Sequence, residues 1–197
     1  VKAAWRLPPD PAMDPALVAA GFLDHHPDLR YRMEAMRAYE AGRFEQARGL
    51  FERAALYADK PSQGMVAEML WKGEGVARDR ALAYAWMDLA AERGYRPMLI
   101  LRERYWSELD EAERADALAR GQEVYARYGD AVAKPRYANV LRRGRMQVTG
   151  SRTGMVGSLT IVVPMAGEGE QVIDGAKFYD PRYWQPEKYW AWQDAVW

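Results

Sequence analysis

The chain has 197 residues, 28 Lys and Arg against 28 Asp and Glu, 49% hydrophobic residues, no Cys and two His. That length fits one domain, or one domain with an appendage, and is enough to bury a core without a disulfide or a metal. The missing Cys excludes a disulfide framework, a thiolate metal site and a Cys nucleophile. Zero net charge argues against a whole-protein polyanion binder, so no nucleic-acid partner is expected.

No apolar run reaches the 18 residues a membrane span needs. The charge is unevenly distributed. Residues 1–130 hold 19 basic and 22 acidic side chains, and residues 168–197 hold three and six. Between them, residues 131–167 hold six basic side chains (Lys134, Arg136, Arg142, Arg143, Arg145 and Arg152) and no acidic one. This segment is expected to neutralise its acidic neighbours within the chain. Only Tyr137 among its residues could stack on a base.

Residues 1–28 form a Pro-rich arm in which Asp14-Pro15 opens a short helix through Ala20, ended by Gly21. The chain starts at Val1 rather than Met, which is compatible with a removed leader. From Leu29 to Gly129 the periodicity is helical. Met33, Met36 and Tyr39 define a first helix stopped at Gly42, and Phe44, Ala47, Leu50, Phe51, Ala54 and Ala55 a second. Pro61-Ser62 opens a third, running to Gly73. Asp79 caps a fourth, which carries Leu82, Ala83, Trp86, Leu89 and Ala90 on one face and ends at Gly94. A fifth runs from about Pro97 to Trp106, and Ser107 and Asp110 are alternative caps for a sixth that ends at Gly129.

The helices pair, and the pairs repeat. Ala47-Leu50-Phe51-Ala54-Ala55 matches Ala83-Trp86-Met87-Ala90-Ala91 at an offset of 36 residues. A two-helix period in the thirties is the mark of an α-solenoid. Within it, Ser62 to Gly94 carries Gly73-Glu74-Gly75-Val76, then Asp79, Ala83, Trp86, Ala90-Ala91 and Gly94. This string resembles one unit of the Sel-one-like repeat family, a branch of the tetratricopeptide-like helical repeats. Leu29–Ala55 resembles a plain tetratricopeptide unit, and Pro97–Gly129 a degenerate third one. Val66-Ala67 and Met69-Leu70 stand where that family has Leu-Gly and an aromatic residue.

The last 67 residues change character. Pro135–Arg143 is expected to form a short basic helix ended by Gly144. Met146–Thr149, Leu159–Val163 and Gln171–Ile173 read as strands separated by Gly150, Gly154 and Gly157. Asp180-Pro181 is a turn, and Gln185-Pro186-Glu187 opens a final aromatic segment. Phe178, Tyr179, Tyr183, Trp184, Tyr189, Trp190, Trp192 and Trp197 place eight aromatic rings in 20 residues. That much apolar surface does not stay hydrated. The tail is therefore expected to bend back as a strap on its own chain and close one side of the solenoid. A partner-binding or dimerising segment built on Tyr183, Trp184, Tyr189, Trp190 and Trp192 is the alternative.

No catalytic constellation stands out. Gly73-Glu74-Gly75 lacks the remaining elements of a nucleotide loop and is read as an interhelical turn. His25-His26 lacks the i, i+4 spacing of a helical zinc pair and is read as a surface loop, with Asp28 capping the helix from Leu29. No serine lies in a nucleophile elbow. No cofactor and no metal are expected.

The chain thus reads as mainly α: a short α-solenoid of two to three helical hairpins over residues 29–129, with a small β-containing C-terminal extension over 130–197. The resemblance implies a non-catalytic protein–protein interaction module of the bacterial periplasm or exterior. Its protein or peptide partner would lie in a concave groove lined by the first helix of each pair. In that register Arg32, Met36 and Tyr39 face the groove from the first unit, Glu68 and Trp71 from the second and Arg104 from the third. A structural subunit held by its aromatic tail, or an enzyme whose site lies in the C-terminal part, is the alternative.

Overall fold

A computed structural model of the chain describes residues 15–149, 160–164 and 170–197. In chain order the elements are α1 (Pro15–Ala19), α2 (Pro27–Glu40), α3 (Phe44–Ala55), α4 (Lys60–Lys72), α5 (Arg80–Ala90), α6 (Arg96–Glu108), α7 (Glu111–Tyr128) and α8 (Asp130–Thr149). They are followed by β1 (Thr160–Pro164), β2 (Glu170–Asp174), α9 (Gly175–Phe178), α10 (Pro181–Trp184) and α11 (Pro186–Val196). The Pro-rich stretch up to Asp14 and the glycine-broken stretch 150–159 lie outside the described residues. Contacts divide the chain into one unit spanning Pro27–Arg136 and a second built from the described residues up to His26 together with Tyr137–Trp197.

The first unit is an α-solenoid. Helices α2 and α3 pack as one hairpin and α4 and α5 as the next. The small residues expected to permit close approach are sealed: Ala47, Ala54, Ala55, Ala83 and Ala90 are fully buried. Trp86 is buried beside Tyr128, with ring centroids 4.6 Å apart.

The helix ends follow from local chemistry. The Asp59 carboxylate accepts from the backbone N–H of Ser62 and opens α4, with Pro61 in its first turn. Asp79 does the same for α5 through Leu82 N. Asp110 and Glu113 form a reciprocal capping box on α7, which decides between the two caps the sequence offered.

The turn between α4 and α5 joins the two hairpins. Gly75 has φ 68, and a Cβ on it would lie 2.5 Å from the Glu45 nitrogen and the Phe44 carbonyl carbon. Backbone therefore meets backbone at the α2–α3 turn, and only glycine fits. Tyr39 donates its hydroxyl to Glu74 across the same junction, at 2.8 Å.

The third hairpin departs from the pattern. Helix α7 makes its main packing against α5. Arg120 grips the Asp79 carboxylate with both terminal nitrogens, at 3.1 and 2.7 Å. Tyr125 donates to Asp88. Helix α6 lies on the other side of α5, with Trp106 against Tyr84 and Tyr105 stacked on Trp71.

A buried ionic network closes the unit. The Lys60 ammonium is fully buried and reaches Glu92 at 2.6 Å, Asp130 at 3.1 Å and the Leu89 carbonyl at 3.1 Å. Arg93 donates to both Asp130 oxygens, at 2.7 and 3.0 Å, and Lys134 reaches Asp130 at 2.9 Å.

The second unit is aromatic. Phe22 stacks flat on His26 at 3.9 Å and meets Phe178, Tyr183 and Trp184 edge-on. Tyr137 of α8 packs on Tyr189 and Trp190 of α11. Strands β1 and β2 pair antiparallel, with Val162 opposite Val172 and Ile161 opposite Ile173. Val163 and Ile173 face inward.

Three local expectations are corrected here. Met146–Thr149 is not a strand: it is the last turn of α8, which starts at Asp130 and runs through Pro135 and Gly144. Gly144 does not stop the helix. It is the notch against which His25 and Trp184 close, a Cβ there lying 2.8 Å from His25 Nδ1 and 3.0 Å from the Trp184 ring. Helix α2 begins at Pro27 rather than Leu29, so Asp28 sits inside its first turn instead of capping it.

Candidate functional site

Helix α4 lies between α2 and α6, and the three bring side chains from successive hairpins together. Trp71 stacks on Tyr105 with centroids 4.0 Å apart and planes 6° off parallel. The guanidiniums of Arg80 and Arg78 lie 5.2 and 5.9 Å from the Trp71 ring centre, and Arg78 also donates to the Trp71 carbonyl at 3.0 Å. Trp71 is thus sealed in a cation–aromatic stack rather than presented to a ligand.

Glu68 stands one turn earlier on α4. It is 8% exposed. Its Oε1 accepts from Lys72 at 2.5 Å, and its Oε2 is buried with no hydrogen-bond partner. The two phenols near it feel its charge. Burial, the hydrogen bond to Glu74 and the charges of Glu74 and Glu68 push the Tyr39 hydroxyl far above its ordinary value. Burial, Glu68 and Glu108 do the same to Tyr105, against the opposing charge of Arg104.

The remaining expected groove residues divide. Arg104 is exposed and pairs with Glu108 one turn on, at 2.9 Å. Met36 and Tyr39 are half-buried. Arg32 is buried at 7% exposure, and its guanidinium donates to the Asp59 carboxylate at 2.9 Å, so it braces α2 against the start of α4. The face therefore has an accessible rim of Met36, Tyr39, Lys72 and Arg104 around a buried carboxylate. Tyr105, Lys72 and Glu74 were missed from sequence. Their one legible signal was the Glu68–Lys72 spacing of four, which puts the two on one helix face.

The aromatic residues expected as strap or interface sit differently from the groove set. Tyr183, Trp184 and Tyr189 are buried, and Trp190 and Trp192 are half-buried, within the second unit. Trp184 donates its indole N–H to the Phe178 carbonyl at 2.6 Å, so its polar edge is satisfied inside the core.

His26 was read as part of a surface loop. It is fully buried instead, with Nδ1 2.8 Å from the Phe22 carbonyl oxygen and Nε2 2.9 Å from that of Tyr183. Desolvation lowers its pKa to about 4, against the two carbonyls that favour the charged ring and with a small push in the same direction from His25. Among the described residues, no three His, Asp or Glu side chains converge to hold a metal ion. None of the described helices is long and apolar enough to cross a membrane.

No family model matches the sequence, and no curated protein matches it. Among solved structures, the chain is similar to c5321, a protective antigen present in uropathogenic Escherichia coli strains displaying an SLR (Sel-one-like repeat) fold. The identity is 20% and the TM-score 0.42, over 59% of this chain and 23% of that one. This chain therefore spans less than a quarter of that protein's length. The solenoid described above rests on its own helix pairs: hairpins in series, sealed by alanine faces and joined at Gly75.

Proposed function

We propose that this chain is a non-catalytic protein-binding module whose partner docks on the face shared by α2, α4 and α6. The observation that carries this reading is the convergence, from three successive hairpins, of tyrosine hydroxyls, an Arg and an incompletely paired carboxylate on one face. Aromatic and Arg side chains make strong interface contacts. A bacterial envelope location belongs to the same proposal and rests on the resemblance of the repeats alone. The reading that the tail holds the protein in an assembly is less favoured, because Trp184 and Tyr189 are already consumed in the core of their own unit.

The test is selection of binding peptides on the intact chain from a random linear library, followed by variants on and off the face. Tyr39→Ala and Arg104→Glu should weaken the selected peptides, while Glu123→Ala on the exposed side of α7 should not. Binding that ignores the first two variants, in proteins shown to melt normally, would refute the reading.

A further inference from the structure

Oε2 of Glu68 is the point on this face where the described structure leaves a strong acceptor without a donor. A carboxylate this buried is costly unless its lone pairs meet N–H or O–H groups. Its own helix satisfies only half of it, through Lys72 on Oε1. The surroundings do not supply the rest. Tyr39 already spends its hydroxyl on Glu74. Arg104 is turned to Glu108. Arg78 is spent on the Trp71 carbonyl.

The local field is negative. Glu68, Glu74 and Glu108 all raise one or both of the phenols Tyr39 and Tyr105. Such a field attracts a cation, and the absence among the described residues of any three-carboxylate cluster that could hold a metal ion makes an organic cation the fitting ligand.

We propose that this face selects partner segments bearing a lysine or arginine, whose cation binds Oε2 of Glu68 between Tyr39 and Tyr105. The proposal rests on the α2–α4–α6 reading and deepens it from a docking face to a charge preference. Lys72 is the internal competitor. Its side chain is 35% exposed, and it pairs with Glu68 in the i, i+4 arrangement that is worth little on a surface. A partner's cation can therefore take over part of its role at small cost. The electron-rich face of Tyr105, stacked on Trp71, adds a cation–π contribution.

The same library selection on the intact chain decides the matter. The expected result is that the peptides weakened by Tyr39→Ala share a Lys or Arg at one position. Replacing that residue by Met in the synthetic peptide should weaken binding roughly ten-fold or more, as loss of one charge-assisted hydrogen bond does. Glu68→Gln, which keeps the shape, should abolish the difference between the basic and the Met peptide. Lys72→Met should strengthen the basic peptide and leave the Met peptide unchanged.

Face-dependent binders with no basic position, or a preference that survives Glu68→Gln, overturn the charge preference and leave the docking face standing. Binders indifferent to Tyr39→Ala, or no binders, overturn both.

Discussion

Replacing Asp130 by Asn tests whether the solenoid is closed by charge or merely decorated by it. In the wild type the carboxylate accepts two hydrogen bonds from Arg93 and contacts Lys60 and Lys134. Those cations hold its pKa well below the usual carboxylate range despite the opposing effect of burial. Asparagine keeps the shape and removes the charge. Lys60, fully buried, is then left with Glu92 alone, and Arg93, 8% exposed, loses its ion pair.

Removing one partner of a buried ionic network costs about 3–5 kcal/mol, because the stranded cations stay desolvated. The lower end applies here, since the carboxylate is 15% exposed and Glu92 remains. About 3 kcal/mol in a chain of this size lowers Tm by roughly 6–12 °C. Circular dichroism melts and urea titrations of the two proteins measure it.

The pH dependence gives an independent check. The folded pKa lies below the unfolded one, so the unfolded chain takes up the proton first as pH falls. The stabilisation is complete above about pH 4 and is lost as acid carries the solution down through the folded value. Asp130→Asn should flatten that acid limb. A variant within 1 kcal/mol of wild type at pH 7 would refute the argument that these cations depend on Asp130.

Gly75→Ala should destabilise markedly, because its Cβ would overlap the backbone of Phe44 and Glu45, whereas Gly42→Ala, with similar φ but nothing within 4 Å, should cost only about 1 kcal/mol; equal melting points for the two would refute the close approach. His26, neutral when folded with a pKa of about 4 against 6.5, takes up its proton more readily unfolded. The aromatic unit should therefore lose up to about 3 kcal/mol as pH falls from about 6.5 through 4, a loss absent from His26→Asn and readable by tryptophan fluorescence. Trp184→Ala, which empties a buried ring site and strands the Phe178 carbonyl, should cost about 3–5 kcal/mol and increase binding of a hydrophobic dye; an unchanged melt would mean the tail is not core.

Sequence alone determined the helical hairpins of the first unit, because each rests on local chemistry that travels with the chain. Asp59, Asp79 and Asp110 cap, alanine stripes face inward, and the offset of 36 residues repeats the same packing. The β1–β2 pair was legible from its β-branched runs.

Tertiary structure decided what local pattern does not encode. Gly144 has the same composition signal as a helix stop, and only the approach of His25 and Trp184 makes it a notch in a continuous helix. Burial of His26 depends on Tyr183, 157 residues away. The candidate site shows the same division. Helical register placed Tyr39, Glu68 and Arg104 on first helices, but whether a charge is spent or left open depends on partners from other helices. Asp59 consumes Arg32, and Tyr105 covers Trp71. The free oxygen of Glu68 follows from which donors the neighbouring hairpins have already spent elsewhere, a property of the packed unit that no spacing within α4 carries.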